Sequence, residues 1–228
     1  MVMPGYRKAK DLPTVIPVFP LDGALLLPGG VLPLQIFEPR YLNMVDDAMA
    51  GDRIIGMIQT TGEGERTRHP ALARVGCAGR ITSYSETSDG KYLIALTGLC
   101  RFQIDEEIRA PKPYRQVQAD FARFEADLQF DGDGEEFDRA PFLNLLRRYL
   151  DHRGLGVEWE VVNAAPAGAL INSLCMALPF SPLEKQALLE AHHLEGRREA
   201  LAALLEIEAA SGPGNGAEED DDPPHPLQ

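Results

Sequence analysis

The sequence predicts an α+β protein in two parts: a mostly antiparallel β subdomain with one helix packed on it, then a bundle of helices. Short β-prone runs punctuated by proline and glycine fill the first half, and one amphipathic helix interrupts them. From Phe137 the apolar period turns helical and stays so. The 228 residues hold one large domain or two small ones, and 44% apolar content is ample for a core. The expected boundaries are an arm over 1–12, the β subdomain over 13–125, an acidic linker over 126–136, the helical subdomain over 137–210 and a disordered acidic tail over 211–228.

Residues 1–12 have no periodicity and read as a loose arm. Pro17, Pro20, Pro28 and Pro33 then remove backbone donors, so no helix runs through this stretch. Val15 to Phe19, Leu25 to Leu27 and Leu32 to Ile36 are β-prone, with Asp22-Gly23 and Gly29-Gly30 as turns between them. Prolines this dense suit edge strands or bulges. At Glu38-Pro39-Arg40-Tyr41 proline occupies a first helical position. Leu42, Val45 and Met49 make the expected apolar face of that helix, and Gly51 its left-handed stop.

Ile54 to Ile58 is a short buried strand, and Thr61 to Pro70 a mobile loop. Val75 to Glu86 and Lys91 to Thr97 flank Asp89-Gly90, a strong hairpin signal, and Leu99 to Ile104 makes a further strand. Gln118 to Phe124 extends the last strand, anchored by Phe121 and Phe124. The run from Asp131 to Glu136 has part of a calcium-loop composition, but its acidic positions do not line up, so it reads as solvated linker. Phe142, Leu145, Leu146, Tyr149 and Leu150 form a helical stripe ending near Gly154. Leu170, Ile171, Leu174 and Leu178 form the next, after Pro166. Ser181-Pro182-Leu183-Glu184 has the residues of a capping box. Gly196 separates that helix from a last one carrying Leu201, Leu204 and Leu205.

The net charge of -13 is uneven: residues 1–118 carry 14 basic and 13 acidic side chains, residues 119–210 carry 8 and 17, and the tail none and 5. Such a balance argues against nucleic acid and anionic membrane as partners, since binding phosphates requires a basic surface. Cys77, Cys100 and Cys175 lie far apart and read as core thiols of a reducing compartment. The N-terminal apolar stretch is broken by five prolines and Asp22, which fits neither a signal peptide nor a membrane span, and a cytoplasmic location is expected.

Several spaced segments carry a family likeness. Phe19-Pro20-Leu21, Leu27-Pro28-Gly29, Pro33-Leu34 and Ile36-Phe37-Glu38-Pro39-Arg40-Tyr41 are followed by Gly98 with Arg101-Phe102, by Tyr114 to Val117, and by Leu178-Pro179 with Lys185-Gln186. Together they resemble the Lon N-terminal domain, the substrate-binding module of Lon proteases, also found as a standalone bacterial protein. The resemblance spans about residues 13–208. It implies a PUA-like barrel followed by helices, no cofactor, and noncatalytic recognition of unfolded or damaged protein or peptide substrates, with a protease or chaperone as possible partner. Two other functions attach to the same architecture: small-molecule sensing, by similarity to the Lon-like region of cereblon, and RNA binding, by analogy with PUA barrels. The cysteine-rich zinc pattern that accompanies the cereblon ligand domain is missing, and the charge opposes RNA.

No phosphate-cradling Gly-x-x-x-x-Gly-Lys-Ser/Thr occurs, and only a short tail follows the helices where a full Lon protease would carry ATPase and protease modules. Ser181 and Lys185 form the one serine–lysine spacing of interest, and the serine is better explained as a helix cap. His192-His193 lacks zinc-protease spacing and reads as a solvated pair. The expected binding surface is a groove between the subdomains lined by Phe19, Leu27, Phe37, Tyr114 and Phe142, with plain core packing as the alternative role of each. Arg101 alternates with apolar residues and so reaches either solvent, as a plain surface arginine, or an internal carboxylate, for which Glu38 is the candidate partner.

Overall fold

The computed structural model describes residues 6–61, 70–133 and 137–210. Six strands, β1 (Val15–Pro20), β2 (Val31–Ile36), β3 (Ile54–Ile58), β4 (Val75–Glu86), β5 (Tyr92–Ile108) and β6 (Arg115–Asp120), lie in the order β2-β5-β4-β3-β1-β6. β6 also pairs with β5, so five strands close a barrel and β2 flanks it. Among the described strands only β1 and β3 are parallel. Closure depends on β5, whose first half pairs with β2 and β4 while Gln103 to Ile108 turn to β6. Register shifts at Ala78/Gly79, Ile81/Ser83 and Ile104/Glu106 supply the bends that let a twisted sheet meet itself. The two strands expected from sequence, Lys91 to Thr97 and Leu99 to Ile104, are one continuous strand. Gly98 lies within β5, where the Leu27 backbone occupies the space a Cβ would need. The predicted hairpin forms, with Gly90 at φ 76°.

β1 is interior rather than an edge, despite Pro17 and Pro20. Its β6 ladder runs from Val15 to Val18 and its β3 ladder from Val18 to Pro20. Pro17 is therefore laddered only on the β6 side and Pro20 only on the β3 side, so each proline keeps the local edge it requires. Leu25, Leu26 and Leu27 form no strand but are buried as a loop plug.

Helix α1 (Pro39–Ala50) buries Tyr41, Met44, Val45 and Ala48, a stripe rotated from the expected Leu42, Val45 and Met49. Leu42 and Met49 pack at its margins. The rotation follows from Tyr41, whose ring stands 4.4 Å from that of Phe19 in β1. Gly51 has φ -113°, and the left-handed residue is Arg53 at φ 61°, whose N–H returns to Ala48 O at 2.9 Å.

The helical part contains α2 (Arg139–Arg153), α3 (Trp159–Ala164), α4 (Ala167–Ala177), α5 (Pro182–Glu190) and α6 (Leu194–Ala210). The five stripe residues expected on α2 are the five it buries. α5 opens on the expected capping box, with Ser181 Oγ accepting from Glu184 N at 3.3 Å and Glu184 Oε2 accepting from Ser181 N at 2.8 Å. Gly196 is not a separator but lies in the first turn of α6, where His193 Nδ1 accepts its N–H at 3.0 Å.

Two expected loose segments are docked. Ala9 N donates to Glu125 Oε2 at 2.7 Å, Arg80 to the Tyr6 hydroxyl at 3.1 Å, and Leu12 is buried, so residues 6–12 lie against the body. The first part of the supposed linker belongs to a 3-10 segment, Ala122–Gln129, that buries Phe124 and Leu128. Residues 1–5, most of the Thr61 to Pro70 loop, the end of the acidic run at 134–136 and the tail lie outside the described residues. One continuous buried cluster runs from Leu12 to Leu205, so barrel and helices share a single core.

Candidate functional site

The expected groove does not form. Phe19, Leu27, Tyr114 and Phe142 are buried in the common core, and of the five only Phe37, 62% exposed, presents a surface. Each of the four has an internal role. Phe19 packs on Tyr41, Leu27 lies under Gly98, and Phe142 meets Phe137 edge to face at 5.7 Å. Tyr114 donates its hydroxyl to Asp47 Oδ2 of α1 at 2.6 Å, and burial together with that carboxylate pushes its phenol upward.

Arg101 does not reach Glu38, which pairs on the surface with Arg40 at 2.9 Å. Its partner is Asp127 of the 3-10 segment. Nε donates to Oδ2 at 2.8 Å and Nη2 to Oδ1 at 2.9 Å, while the Arg101 backbone N–H adds a bond of 3.0 Å to Oδ2. Nη1 donates to the carbonyls of Leu189 and Ala191, where the negative end of the α5 dipole welcomes a cation. The guanidinium lies 4.5 Å over the Phe124 ring. One side chain in β5 thus ties the barrel to the 3-10 segment and to the end of α5.

The other signature residues continue this seam. Lys185 donates to Gly23 O at 2.8 Å, and burial pulls its ammonium pKa down. Gln186 donates to Val75 O at 3.1 Å, and its carbonyl accepts from Gln59, whose amide also reaches Pro182 O. Pro28 O accepts from Asn172 Nδ2 at 3.0 Å. Gly98 and Phe102 are internal to β5, Pro20 ends β1, and Arg40 covers the Tyr41 ring at 4.5 Å. Ser181 and Lys185 are bound to different partners and form no dyad.

Asn172, Arg197 and Asp127 were missed from sequence. Arg197 carried a signal: it stands four residues before Leu201 and eight before Leu205, on the stripe that α6 buries. Its Nε donates to Leu188 O and its Nη1 to Asn172 Oδ1, both at 2.9 Å. A cleft of about 590 Å³ runs beside it, between Pro28 and Asp127 on one wall and the start of α6 on the other. Asp127 carried no signal, since its role depends on a residue 26 positions away.

A second surface lies on β2, which pairs only with β5 among the described residues. Gly98 N donates to Gly30 O, and β2 continues from there in unbroken register. By antiparallel alternation, Leu32, Leu34 and Ile36 bond to β5, while Val31, Pro33 and Gln35 turn their backbone groups to the open side. Val31, Pro33 and Gln35 are exposed, as is Leu93 opposite Gln35, and Phe37 follows directly.

The three thiols are free and buried; burial raises Cys77 and Cys100 strongly and Cys175 to about 12, which keeps them protonated and inert. Among the described residues no group of His, Cys, Asp and Glu could hold a metal ion, and no helix is long and apolar enough to cross a membrane.

A mixed barrel flanked by an open strand and sewn to a helical bundle by Arg101, Lys185 and Gln186 defines an α+β module of the Lon N-terminal type. The chain belongs to the family of the ATP-dependent protease La (LON) substrate-binding domain, whose model matches residues 15–206. It is 26% identical over 214 residues to Lon protease 2 of Myxococcus xanthus, covering 90% of this chain and 25% of that protein. It is 28% identical over 200 residues to Lon protease of Roseiflexus castenholzii, covering 87% and 25%. The chain thus spans about a quarter of the length of these relatives. In structure it is similar to a Lon N-terminal domain protein from Xanthomonas campestris, with TM-score 0.58, 22% identity and coverage of 83% of this chain and 98% of that one. The N-terminal domain of Mycobacterium avium complex Lon protease matches with TM-score 0.59 at 18% identity, covering 84% and 98%. At these identities the structural likenesses establish the fold.

Proposed function

We propose that this chain is a noncatalytic, cytoplasmic recognition module that binds extended segments of unfolded or damaged protein along the open edge of β2, for a protease or chaperone partner. The edge supports this reading best. Val31, Pro33 and Gln35 turn unpaired backbone groups outward, and Val31, Phe37 and Leu93 add exposed apolar area beside them. Backbone pairing is indifferent to client sequence, which a module that accepts many chains requires. Pro33 withholds one donor, which limits self-pairing of the same edge.

The test is binding of a fluorescent, permanently unfolded protein to the wild type and to Val31→Lys and Phe37→Ser, both at exposed positions. Each variant, shown folded by circular dichroism, is expected to bind about five- to thirty-fold more weakly, the equivalent of about 1–2 kcal/mol of apolar contact. Wild-type binding should persist at 1 M salt, where the Debye length is about 3 Å. RNA should not compete near physiological salt, given the charge of -13. Variants that bind as the wild type, with salt alone abolishing binding, would overturn the assignment to β2.

A further inference from the structure

We propose that the cleft between the barrel and the helical subdomain is a binding site for a monovalent carboxylate with an apolar body, received by Arg197. Arg197 is 3% exposed and remains a cation at any physiological pH. Buried cations are ordinarily matched by a carboxylate, as Arg101 is by Asp127. Arg197 is not. No carboxylate oxygen of the described residues lies within 4.0 Å of it, its two acceptors are neutral, and its Nη2, itself buried, has no acceptor among the described residues. The carboxylates around the cleft are engaged elsewhere: Asp127 with Arg101, Glu195 with Arg198 at 3.7 Å, and Asp131 Oδ1 with the Asp133 N–H.

The start of α6, at Leu194, forms the same wall, and the positive end of a 17-residue helix favours an anion there. These two features are independent of each other. The volume of about 590 Å³ falls within the range of small-molecule and peptide-end sites, about 300–1,000 Å³. Phe130, Phe137, Ile171 and Leu194 supply an apolar lining. Charge selects the class of anion. With Nε and Nη1 already committed, one donor group remains, and Asp127, Asp131 and Glu195 would repel a dianion. A planar monoanion fits, and hydrogen phosphate, as a dianion, is disfavoured. The source is either a free C-terminus of a peptide or a free carboxylic acid.

Calorimetric titration with 3-phenylpropionate, its amide, the tripeptide Ala-Ala-Phe, its C-terminal amide and inorganic phosphate tests this on the full chain. Expected are saturable binding of at least one carboxylate at one site per chain, at least tenfold weaker binding of the matching amide, and no saturation by phosphate. The tighter carboxylate identifies the source. Arg197→Lys should weaken binding at least tenfold. Because that variant removes seam bonds, His192→Glu serves beside it: this exposed side chain lines the cleft, and a negative charge there should weaken carboxylate binding at least threefold without unfolding the chain. No saturation by either carboxylate, equal binding of acid and amide, or unchanged affinity in folded His192→Glu overturns the proposal. The site is independent of the β2 edge, so Phe37→Ser should leave carboxylate affinity unchanged.

Discussion

Arg101 and Asp127, 26 residues apart, form a bidentate ion pair whose guanidinium also reaches the last carbonyls of α5. The pair is buried, with 4% of the Arg101 side chain and 11% of the Asp127 side chain exposed, and it stands where barrel, 3-10 segment and helical subdomain meet. Burial of this kind makes the pair a constraint on geometry. Alternative packings of the two halves would leave a charge unpaired, whereas the surface pair Glu38–Arg40 excludes nothing.

Asp127→Asn should therefore destabilise the protein by about 3–5 kcal/mol, because it leaves the Arg101 cation buried without a counter-charge. Glu38→Gln should cost less than about 1 kcal/mol, since its pair is open to water on both sides. Urea unfolding of the two variants measures the difference. Equal losses would mean that the seam does not depend on this pair.

Stability should fall as the pH rises above about 9. The unfolded thiols of Cys77, Cys100 and Cys175 lose protons near 9.0, while burial holds the folded ones protonated to about 12 or beyond. Above 9 the unfolded state therefore binds fewer protons than the folded state, and the slope of stability with pH is negative. It approaches about 1.4 kcal/mol per pH unit for each thiol. Lys185, held below 10.5 by burial, opposes this with one proton at most, and Arg197, held down to about 10, opposes it only near and above that pH. Melting temperatures between pH 8 and 10 test the sign; the phenols of Tyr41, Tyr92, Tyr114 and Tyr149, also raised in the fold, add to the fall near pH 10, and Cys175→Ala should flatten the slope.

Ser181→Ala should cost about 1 kcal/mol through loss of the α5 cap, in the range of about 0.5–2 kcal/mol for such caps. It should change no activity, since purified protein is expected neither to hydrolyse ATP nor to degrade casein. Denaturant unfolding and assays of both reactions check this. Proteolysis that survives repurification and disappears in the variant would contradict the noncatalytic assignment.

Tyr114→Ser should behave as a core variant. It removes a buried ring and the bond to Asp47 that fastens β6 to α1, and an unfolding loss of about 3–5 kcal/mol is expected, as for truncation of other buried aromatics. Loss of client binding in this variant would thus report on folding, and a melting curve distinguishes the two.

Periodicity and local chemistry were enough for much of the fold. β4, the Asp89-Gly90 hairpin, the α2 stripe and the Ser181 capping box depend on neighbours within a few positions, and each stands where expected. Residues such as Arg101, Lys185 and Gln186 were visible as family signatures, but their partners were not. Alternation with apolar residues pointed Arg101 to an internal carboxylate, but the partner is Asp127 and not Glu38, and Asp127 sits on a 3-10 segment too short to show a period. The groove failed for a related reason: Phe19, Leu27, Tyr114 and Phe142 are apolar and prominent, and apolar prominence marks the core more often than a surface.

The sequence by itself determined the α+β order of elements, the helix caps and turns, and membership of a family with this architecture, because these follow from interactions between residues near one another in the chain. Tertiary structure alone decided which apolar residues face water, that β1 is interior, and that, among the described residues, β2 pairs on one side only and Arg197 meets no carboxylate beside the cleft. Those properties depend on which distant segments close over a residue, and burial, charge pairing and sheet edges exist only once the barrel has closed and the helices have docked against it.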